Sequence, residues 1–541
     1  MNSPQTCVMR RSILPAVVFL CLTNQAAHAG SASWNLNPGS ALWDTASNWT
    51  PATEPNGPGE IATFAVSNVT NLQMASRVEV DSIVFNPGAS AFTFTPDASA
   101  IMPLILSGAG IQNKSNAIQS FVAPVQFLNE GLISFTGSAS AGTLTAFTAE
   151  GAEEMSAFGG LIQFHDNASA DRGNFLAAAG LASGAHGGSI EFDGFATADG
   201  GTFTNDAGQT AGALGGGTGF SGSASAGMAQ LTAVGSLISG GIGGQITFRE
   251  TSTAADARLT ALSGMDGGAG GAIVFDDDAS GGDAKVVVAG NAQMDISAHN
   301  GPGETVGSVE GDGTIFLGAN KLTISGTAAA PFSGVISDGG ANGGQRGSLT
   351  KTGFGNLTLS GANTYSGRTT VENKTFLNVT NVRGSATGRG PVMVTTGKLA
   401  GTGTITGPVT IGTCNFNGIR GQLWPGRFAG YATLTIRRTL TFNRRSDYSC
   451  TLREATAVAD KVVANGLTIQ PGAIFLLVVF DSAKLTPPTA FTVIDNTAMA
   501  PIVGRFANLA DGSIVRTGEN RFQVSYEGGD GNDLTLTEVT N

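Results

Sequence analysis

The chain has 541 residues, of which 79 are Gly, about twice the usual share, while only 13% are charged. An apolar fraction of 41% can form a buried core, so the composition excludes a mainly disordered chain, and the glycines have no Gly-X-Y period, which excludes collagen. With 40 acidic and 28 basic residues the formal net charge is −12, which disfavours nucleic acid and anionic lipid as partners.

The first 29 residues have the pattern of a secretory signal peptide. Arg10 and Arg11 precede an apolar run over 13–22, and residues 27–29 (Ala-His-Ala) have the small-x-small pattern of a cleavage site. The run is too short to span a bilayer. We expect cleavage after Ala29 and a mature chain without a transmembrane segment, secreted or at the cell surface, with the periplasm as an alternative.

Residues 30–76 are predicted to form an N-terminal cap. Three of the four Trp lie in this segment: Trp34, Trp43 and Trp49. A stack of repeating coils must cover its open end, because the terminal coil otherwise exposes unpaired backbone and apolar core to solvent. Three large rings close together suit that role.

Residues 77–400 are predicted to form a parallel β-helix. Short β-branched runs alternate with Gly, Asn and Pro, and one pattern, Gly-x-Ile-x-Phe with small variations, recurs along the chain. Successive copies are 29, 28, 28, 28 and 27 residues apart, at Phe135, Phe164, Phe192, Phe220, Phe248 and Phe275. A fixed period in this range is typical of stacked coils that bury their apolar faces against each other.

The residue after each of these Phe should form a row along the outer surface. That row reads Thr136, His165, Asp193, Ser221, Arg249 and Asp276. We therefore expect Arg249 to contact Asp276 on the next coil and Glu250 to lie beside Asp277. Such a surface ion pair contributes about 0.2 to 1 kcal/mol, enough to favour the register but too little to hold the fold.

Residues 347–367 read GSLTKTGFGNLTLSGANTYSG and are followed by Thr-Thr-Val at 369–371. The segment 347–380 closely resembles the autotransporter-associated β-strand repeat, also called the passenger-associated transport repeat. It departs from the family at Lys374 and Phe376, where Gly and Leu are usual. The resemblance implies an exported β-solenoid of a Gram-negative-type bacterium, and it does not imply an enzyme.

Both flanks of the repeat resemble the same family. Residues 43–49 look like its usual opening, and 311–318 with 332–340 look like the approach to the repeat. Residues 423–426 (Leu-Trp-Pro-Gly), 460–462 and 528–533 resemble its closing module, so we expect a C-terminal β-module over 401–541. Because no Trp follows Trp424 and the late apolar runs are short, we expect no autotransporter membrane barrel in this chain.

Two cysteines, Cys414 and Cys450, remain after the signal peptide. An oxidising compartment would allow them to form a disulfide, and the alternative is two free thiols. A basic group, Arg437, Arg438, Arg444 and Arg445, could meet an acidic polysaccharide or lipid, or could simply be a solvated edge of the coils.

The fold expected is all-β: a right-handed parallel β-helix of the pectin-lyase-like kind with an N-terminal cap and a C-terminal β-module. The leading function is that of a non-catalytic, adhesin-like or structural protein of the cell surface, without catalytic residue, cofactor or metal, whose partner would be a surface polysaccharide or another envelope component. The alternative is a calcium-dependent polysaccharide lyase or hydrolase. In that case Arg249 would act as the base, and the calcium candidates are Glu250, Asp276, Asp277 and Asp278.

Overall fold

The structure, a computed structural model, describes residues 30–97, 103–125, 133–327, 329–415, 418–481, 483–485 and 489–539. Within these ranges it consists almost entirely of strands and turns, with two short 3-10 helices, Ala46–Asn48 and Pro425–Arg427. The predicted signal peptide lies outside the described residues. No helix in the described part of the chain is long and apolar enough to cross a membrane.

Most strands belong to two long ladders of neighbouring coils. The first ladder contains, in spatial order, Trp49–Thr50, Ala32–Trp34, Gly57–Phe64, Val78–Phe85, Leu104–Asn113, Ile133–Phe135, Leu161–Phe164, Ser189–Phe192, Gly217–Phe220, Gln245–Phe248, Ala272–Phe275, Gln293–Asp295, Thr314–Phe316 and Val335–Ser337. The second ladder contains Asn71–Met74, Thr93–Pro96, Gln119–Ala123, Thr145–Ala149, Asn174–Ala177, Thr202–Asn205, Gln230–Ala233, Arg258–Ala261, Lys285–Val288, Ser308–Gly311, Ala330–Phe332, Asn356–Leu359, Phe376–Val379, Lys398–Gly401, Gly421–Leu423, Ser446–Arg453 and Ile474–Asp481, with Val458–Ala459 antiparallel to Ser446–Arg453.

A third ladder completes the coils in the later part of the chain. It contains Glu304–Val306, Lys321–Ile324, Ser348–Lys351, Thr369–Val371, Val392–Val394, Val409–Ile411, Leu440–Phe442 and Leu467–Ile469. In the central coils single bridges occupy the corresponding place, running from Ser140 through Ser169, Thr197, Ser225 and Thr253 to Ser280. The predicted parallel β-solenoid is therefore confirmed.

The predicted column of phenylalanines is also confirmed. Phe164 pairs with Phe192, and Phe220 with Phe248, in unbroken parallel register. Along the column from Phe135 to Phe275 neighbouring rings stack with centroids 4.6–5.0 Å apart. This spacing matches the separation of adjacent strands, so each coil places its ring directly on that of the coil before it.

A second column of rings, not predicted from the sequence, lies on the second ladder. It consists of Phe94, Phe121, Phe147, Phe175 and Phe203, stacked at 4.7–4.9 Å. The two columns meet edge to face across the core, with Phe164 5.7 Å from Phe175. Beyond Phe203 the second column continues with the buried aliphatic residues Leu231, Leu259 and Val286.

The three N-terminal Trp pack together at the outer end of the first ladder. Trp49 lies 5.0 Å from Trp34 and 4.8 Å from Trp43, and all three rings contact Phe64. Each indole N–H donates to a backbone oxygen, at Val69, Pro55 and Trp43 for Trp34, Trp43 and Trp49 respectively. The rings thus bury apolar surface without leaving a polar atom unpaired, as a cap requires.

The C-terminal region changes from parallel coils to antiparallel strands. One sheet contains Thr404–Ile405, Thr433–Ile436, Lys461–Ala464, Ala490–Asn496, Asp533–Glu538, Asn520–Gly528 and Ile514–Thr517, and its last three pairings are antiparallel. The Gly-rich segment 528–533 forms the turn before the final strand, where Gly531 N donates to Gly528 O.

Candidate ligand groove and transport repeat

The central coils carry an open groove of about 530 Å³ on the outer side of the first ladder. One wall consists of residues at the same place in four successive 28-residue coils: Phe158, His186, Leu214 and Ile242. The opposite side is formed by outward-facing residues of the first ladder, among them Gln163, Glu191 and Gln245. The groove therefore repeats the solenoid period and runs across several coils.

Paired glycines form the floor of this groove. The pairs are 159–160, 187–188, 215–216 and 243–244, of which Gly159, Gly187, Gly188, Gly215, Gly216 and Gly243 line the groove. A Cβ on Gly188 would lie 2.1 Å from Ala149 O, and one on Gly216 would lie 2.0 Å from Ala177 O. Because real Cβ atoms do not approach oxygen so closely, any larger residue here would push the coils apart. This explains why glycine occupies these positions.

The groove combines a mostly apolar wall with hydrogen-bonding groups. Phe158 is 41% exposed and its ring lies 4.9 Å from that of His186. Across the floor Glu191 is exposed, and its carboxylate accepts a hydrogen bond of 3.0 Å from the Ser189 hydroxyl. An apolar face beside a few polar groups is the usual character of a site for a small organic ligand, including a sugar with its C–H face and hydroxyl edge.

The predicted contacts around Arg249 are present. Arg249 Nε lies 3.7 Å from Asp276 Oδ2, and Asp277 Oδ2 accepts a hydrogen bond of 3.2 Å from Glu250 N. Burial raises the pKa of Asp276, and the positive charge of Arg249 partly opposes that rise. The row also contains a contact that was not predicted, His165 Nδ1 to Asp193 Oδ2 at 2.9 Å, between two residues 28 positions apart.

Two of the four calcium candidates, Glu250 and Asp277, accept hydrogen bonds from backbone N–H groups of the preceding coil. The Glu250 carboxylate accepts a hydrogen bond of 2.8 Å from Gly222 N on the preceding coil, and Asp277 does the same for Glu250 N. Both residues have positive φ, 56° and 53°, as turn residues. Among the described residues, Glu250, Asp276, Asp277 and Asp278 included, no group of three or more His, Cys, Asp or Glu side chains is placed to hold a metal ion.

The cysteines do not form the disulfide considered above. Cys414 is exposed, Cys450 is buried, and both are free thiols. Cys414 follows Thr413, whose backbone oxygen accepts a hydrogen bond from Arg445 N, so Cys414 lies near Arg445. Cys450 lies five residues after Arg445, in the strand Ser446–Arg453. Five extended residues cover roughly 16 Å, more than the Cα separation a disulfide can bridge. Burial and the nearby Asp460 raise the pKa of the Cys450 thiol.

Residues 347–371 form one coil and part of the next, and their polar side chains connect neighbouring coils. Asn363 Oδ1 accepts a hydrogen bond of 2.7 Å from Ile336 N on one side, and Asn363 Nδ2 donates to Ala386 O at 2.5 Å on the other. The buried hydroxyl of Tyr365 lies 2.6 Å from Thr369 Oγ1. Beyond the last first-ladder strand, Val335–Ser337, the Asn363 side chain connects successive coils where strand pairing would otherwise do so.

Lys351 is buried in the same region and is only 1% exposed. Its ammonium group donates to Ile324 O at 3.3 Å, to Gly326 O at 3.2 Å and to Thr352 O. Burial lowers the pKa of Lys351 to about 8. The lysine therefore fastens a turn of the preceding coil and is not directed toward a ligand.

Residues 349–373 match the family described as "Passenger-associated-transport-repeat". The chain contains a passenger-associated transport repeat. The distinctive polar residues of the transport repeat, Lys351, Asn363 and Tyr365, are buried and bonded within the solenoid. The segment that matches the transport repeat is thus part of the stacked parallel coils of the solenoid.

Two of the segments that resemble the family's closing module, 423–426 and 460–462, are in contact. The buried Asp460 carboxylate accepts hydrogen bonds from Thr451 N at 2.7 Å and Ala432 N at 2.9 Å. A Cβ on Gly426 would lie 2.1 Å from Asp460 Oδ1, so the Trp-Pro-Gly segment requires glycine there. Burial raises the pKa of Asp460, and the N–H donors oppose that rise.

Comparison with solved structures gives a similarity to the crystal structure of the Haemophilus influenzae Hap adhesin. The sequence identity is 10% and the TM-score is 0.28, over 89% of this chain and 64% of that chain. The present chain thus spans about 64% of the length of that structure. No curated protein matches the sequence.

Proposed function

We propose that this protein is an exported, non-catalytic β-solenoid that acts at the cell surface or outside the cell in adhesion or as a structural element. Its contact surface would be the central groove, and its partner a surface polysaccharide or another component of the cell envelope. The observation that carries this proposal is the transport repeat, which lies within a continuous solenoid and shares its hydrogen bonds with the coils on both sides.

The groove supports the adhesive part of the proposal. A parallel solenoid presents the same surface position once per coil, so a ligand made of repeated units meets repeated contacts. The wall from Phe158 to Ile242 offers apolar contact over four coils, while Gln163, Glu191 and Gln245 offer polar groups opposite. The glycines between the two sides pack closely against backbone oxygens of neighbouring coils.

Localisation is the first test of this proposal. Native cells would be fractionated into cytoplasm, periplasm, membranes and medium, and the protein detected with a specific antibody. We expect the signal in the surface fraction or the medium. Recovery from the cytoplasm alone, with residues 1–29 still attached, would contradict export.

Binding and turnover are the second test. The mature protein would be applied to a panel of neutral polysaccharides, with Phe158→Ala and Glu191→Gln as groove variants. Phe195→Ala is the matched control, because Phe195 is 70% exposed and does not line the groove. We expect the groove variants to weaken binding about tenfold, corresponding to about 1.4 kcal/mol. Cleavage of a polysaccharide that is lost in Arg249→Ala would contradict a non-catalytic role.

A further inference from the structure

A row of arginines occupies the corner of the solenoid that leads into the third ladder. Each lies one to three residues before a third-ladder strand, and all are exposed: Arg346, Arg368, Arg389, Arg437 and Arg438, here called the arginine corner. The chain as a whole has a net charge of −12 and only 28 basic residues. Five of those residues on one corner therefore form a local positive surface on an acidic protein.

The register of the third ladder places Arg346, Arg389 and Arg437 at the same position on alternate coils, three residues before the paired residues Leu349, Val392 and Leu440. Arg368 and Arg438 lie nearer to their strands, one residue before Thr369 and two before Leu440. Leu349 N donates to Arg368 O at 3.0 Å, and Val409 N donates to Thr439 O at 2.9 Å, so the segments before the strands lie one above another. Successive coils are about 4.8 Å apart. Within the described residues, none of the five guanidinium groups forms an ion pair or a side-chain hydrogen bond.

One coil in this row has no arginine, and a groove opens there. Residues 406–408 are Thr-Gly-Pro, and between Arg389 and Arg438 they leave an open groove of about 770 Å³, the arginine groove. A Cβ on Gly407 would lie 1.9 Å from Gly390 O, so the coil stacking requires a glycine in the floor. Thr439 and Asn465 add polar groups to the lining.

We propose that the arginine groove binds an acidic polysaccharide chain through its carboxylate or sulfate groups. A guanidinium group presents paired N–H donors that match the oxygens of either anion. Since Arg346, Arg389 and Arg437 recur at one position on alternate coils, a linear polyanion lying along the corner meets several cations in turn. The described lining contains no aromatic or large apolar side chain, so it lacks the stacking surfaces with which proteins hold unpaired nucleic-acid bases and any contact for an acyl chain.

The test measures binding of the mature protein to polygalacturonate, which carries carboxylates, and to heparin, which carries sulfates, with dextran as the neutral polymer. The groove variant is Arg389→Gln/Arg438→Gln. The control is Arg258→Gln/Lys285→Gln, which removes the same charge from two exposed cations that are paired on neighbouring strands of the second ladder. Thermal unfolding of both variants checks that they retain the fold.

We expect binding to at least one polyanion, none to dextran, a loss of about tenfold or more in the groove variant and less than about twofold in the control. Equal losses in the two variants would show nonspecific charge attraction and overturn the proposal. So would absence of binding to both polyanions, or tighter binding to single-stranded DNA or to vesicles of anionic lipid. Phe158→Ala leaves the arginine corner unchanged. If that variant loses binding to neutral glycans and still binds polyanions, the central groove and the arginine groove are separate sites.

Discussion

Phe164 and Phe192 stack face to face one coil apart, with ring centroids 4.6 Å apart and ring planes inclined by 6°. Both rings are buried, and the strands that carry them pair residue for residue. The chain thus returns to the same side-chain position after 28 residues. Ring stacking and backbone pairing require the same coil separation, and each therefore supports the other.

Removing one ring from this column should destabilise the solenoid. We expect Phe192→Ala to lower the free energy of unfolding by about 3 to 5 kcal/mol, because it leaves a cavity between two fixed rings. Phe195→Ala, at a residue that is 70% exposed, should change it by less than about 0.5 kcal/mol. Chemical denaturation followed by circular dichroism would measure both. Equal effects would mean that the column does not carry the stability assigned to it.

The glycine floor of the central groove predicts a difference between two glycines on neighbouring coils. In Gly188→Ala the new methyl group would lie 2.1 Å from Ala149 O, whereas at Gly219 a Cβ meets nothing within 4 Å. We expect Gly188→Ala to destabilise the protein by several kcal/mol or to prevent folding, and Gly219→Ala to be tolerated. Expression yield and melting temperature would test this. A tolerated Gly188→Ala would contradict the close packing of the floor.

Asn363 of the transport repeat should be essential for stability. Asn363→Ala would leave Ile336 N–H and Ala386 C=O buried without their partner, and each unsatisfied group costs about 1 to 3 kcal/mol. The neighbouring Thr364 is exposed, and Thr364→Ala provides a matched control. We expect a marked fall in melting temperature for the first variant only. If export were impaired while stability stayed unchanged, Asn363 would instead act through recognition.

Lys351 should make stability depend on pH in the alkaline range. Its pKa is lowered from 10.5 to about 8 in the folded protein, so between these values the unfolded chain binds more protons and the free energy of unfolding rises with pH. Below pH 8 the lysine is protonated in both states and contributes no slope. We expect this rise to disappear in Lys351→Met and to persist in Lys321→Met, because Lys321 is exposed. Urea unfolding of the wild type and both variants between pH 8 and about 10.5 would measure this rise. If the free energy of unfolding rose equally in Lys351→Met, another group would cause the pH dependence.

Calcium should not control the stability of the central coils. Because Glu250 and Asp277 are engaged with backbone N–H groups, we expect the melting temperature to be the same with calcium and with a chelator. Glu250→Ala should cost about 0.5 to 2 kcal/mol, as loss of a helix-capping side chain does, and equally in both conditions. Stabilisation by calcium that Glu250→Ala abolishes would restore the metal-site hypothesis.

The coil can be recognised from its periodic residues alone. The 28-residue spacing of Ile and Phe predicts which side chains meet on adjacent coils, and the contact between Arg249 and Asp276 follows from it. The same reasoning did not find the His165–Asp193 contact, although both residues belong to the predicted row. The second phenylalanine column was also missed, because after Phe203 its positions pass to aliphatic residues and the repeat becomes less visible.

The functional surfaces were harder to predict from sequence than the core. Phe158, His186, Leu214 and Ile242 share a position in the coil but have no common chemistry, so no pattern marks them as a wall. The arginine corner is spread over coils of unequal length. Only the register of the third ladder shows that Arg346, Arg389 and Arg437 share one position on alternate coils, while Arg368 and Arg438 are offset from it.

The sequence by itself determined the coil period, the stacking of like residues and the presence of the transport repeat, because these depend on local patterns that recur at fixed spacing. Only the tertiary structure decided which charges are engaged. Glu250 and Asp277 bind backbone N–H groups at turns, and Lys351 is buried among carbonyl groups. Arg389 and Arg438, in contrast, are exposed beside a groove. The reason is physical: the role of a polar side chain depends on its neighbours one coil away, and turn geometry sets those neighbours.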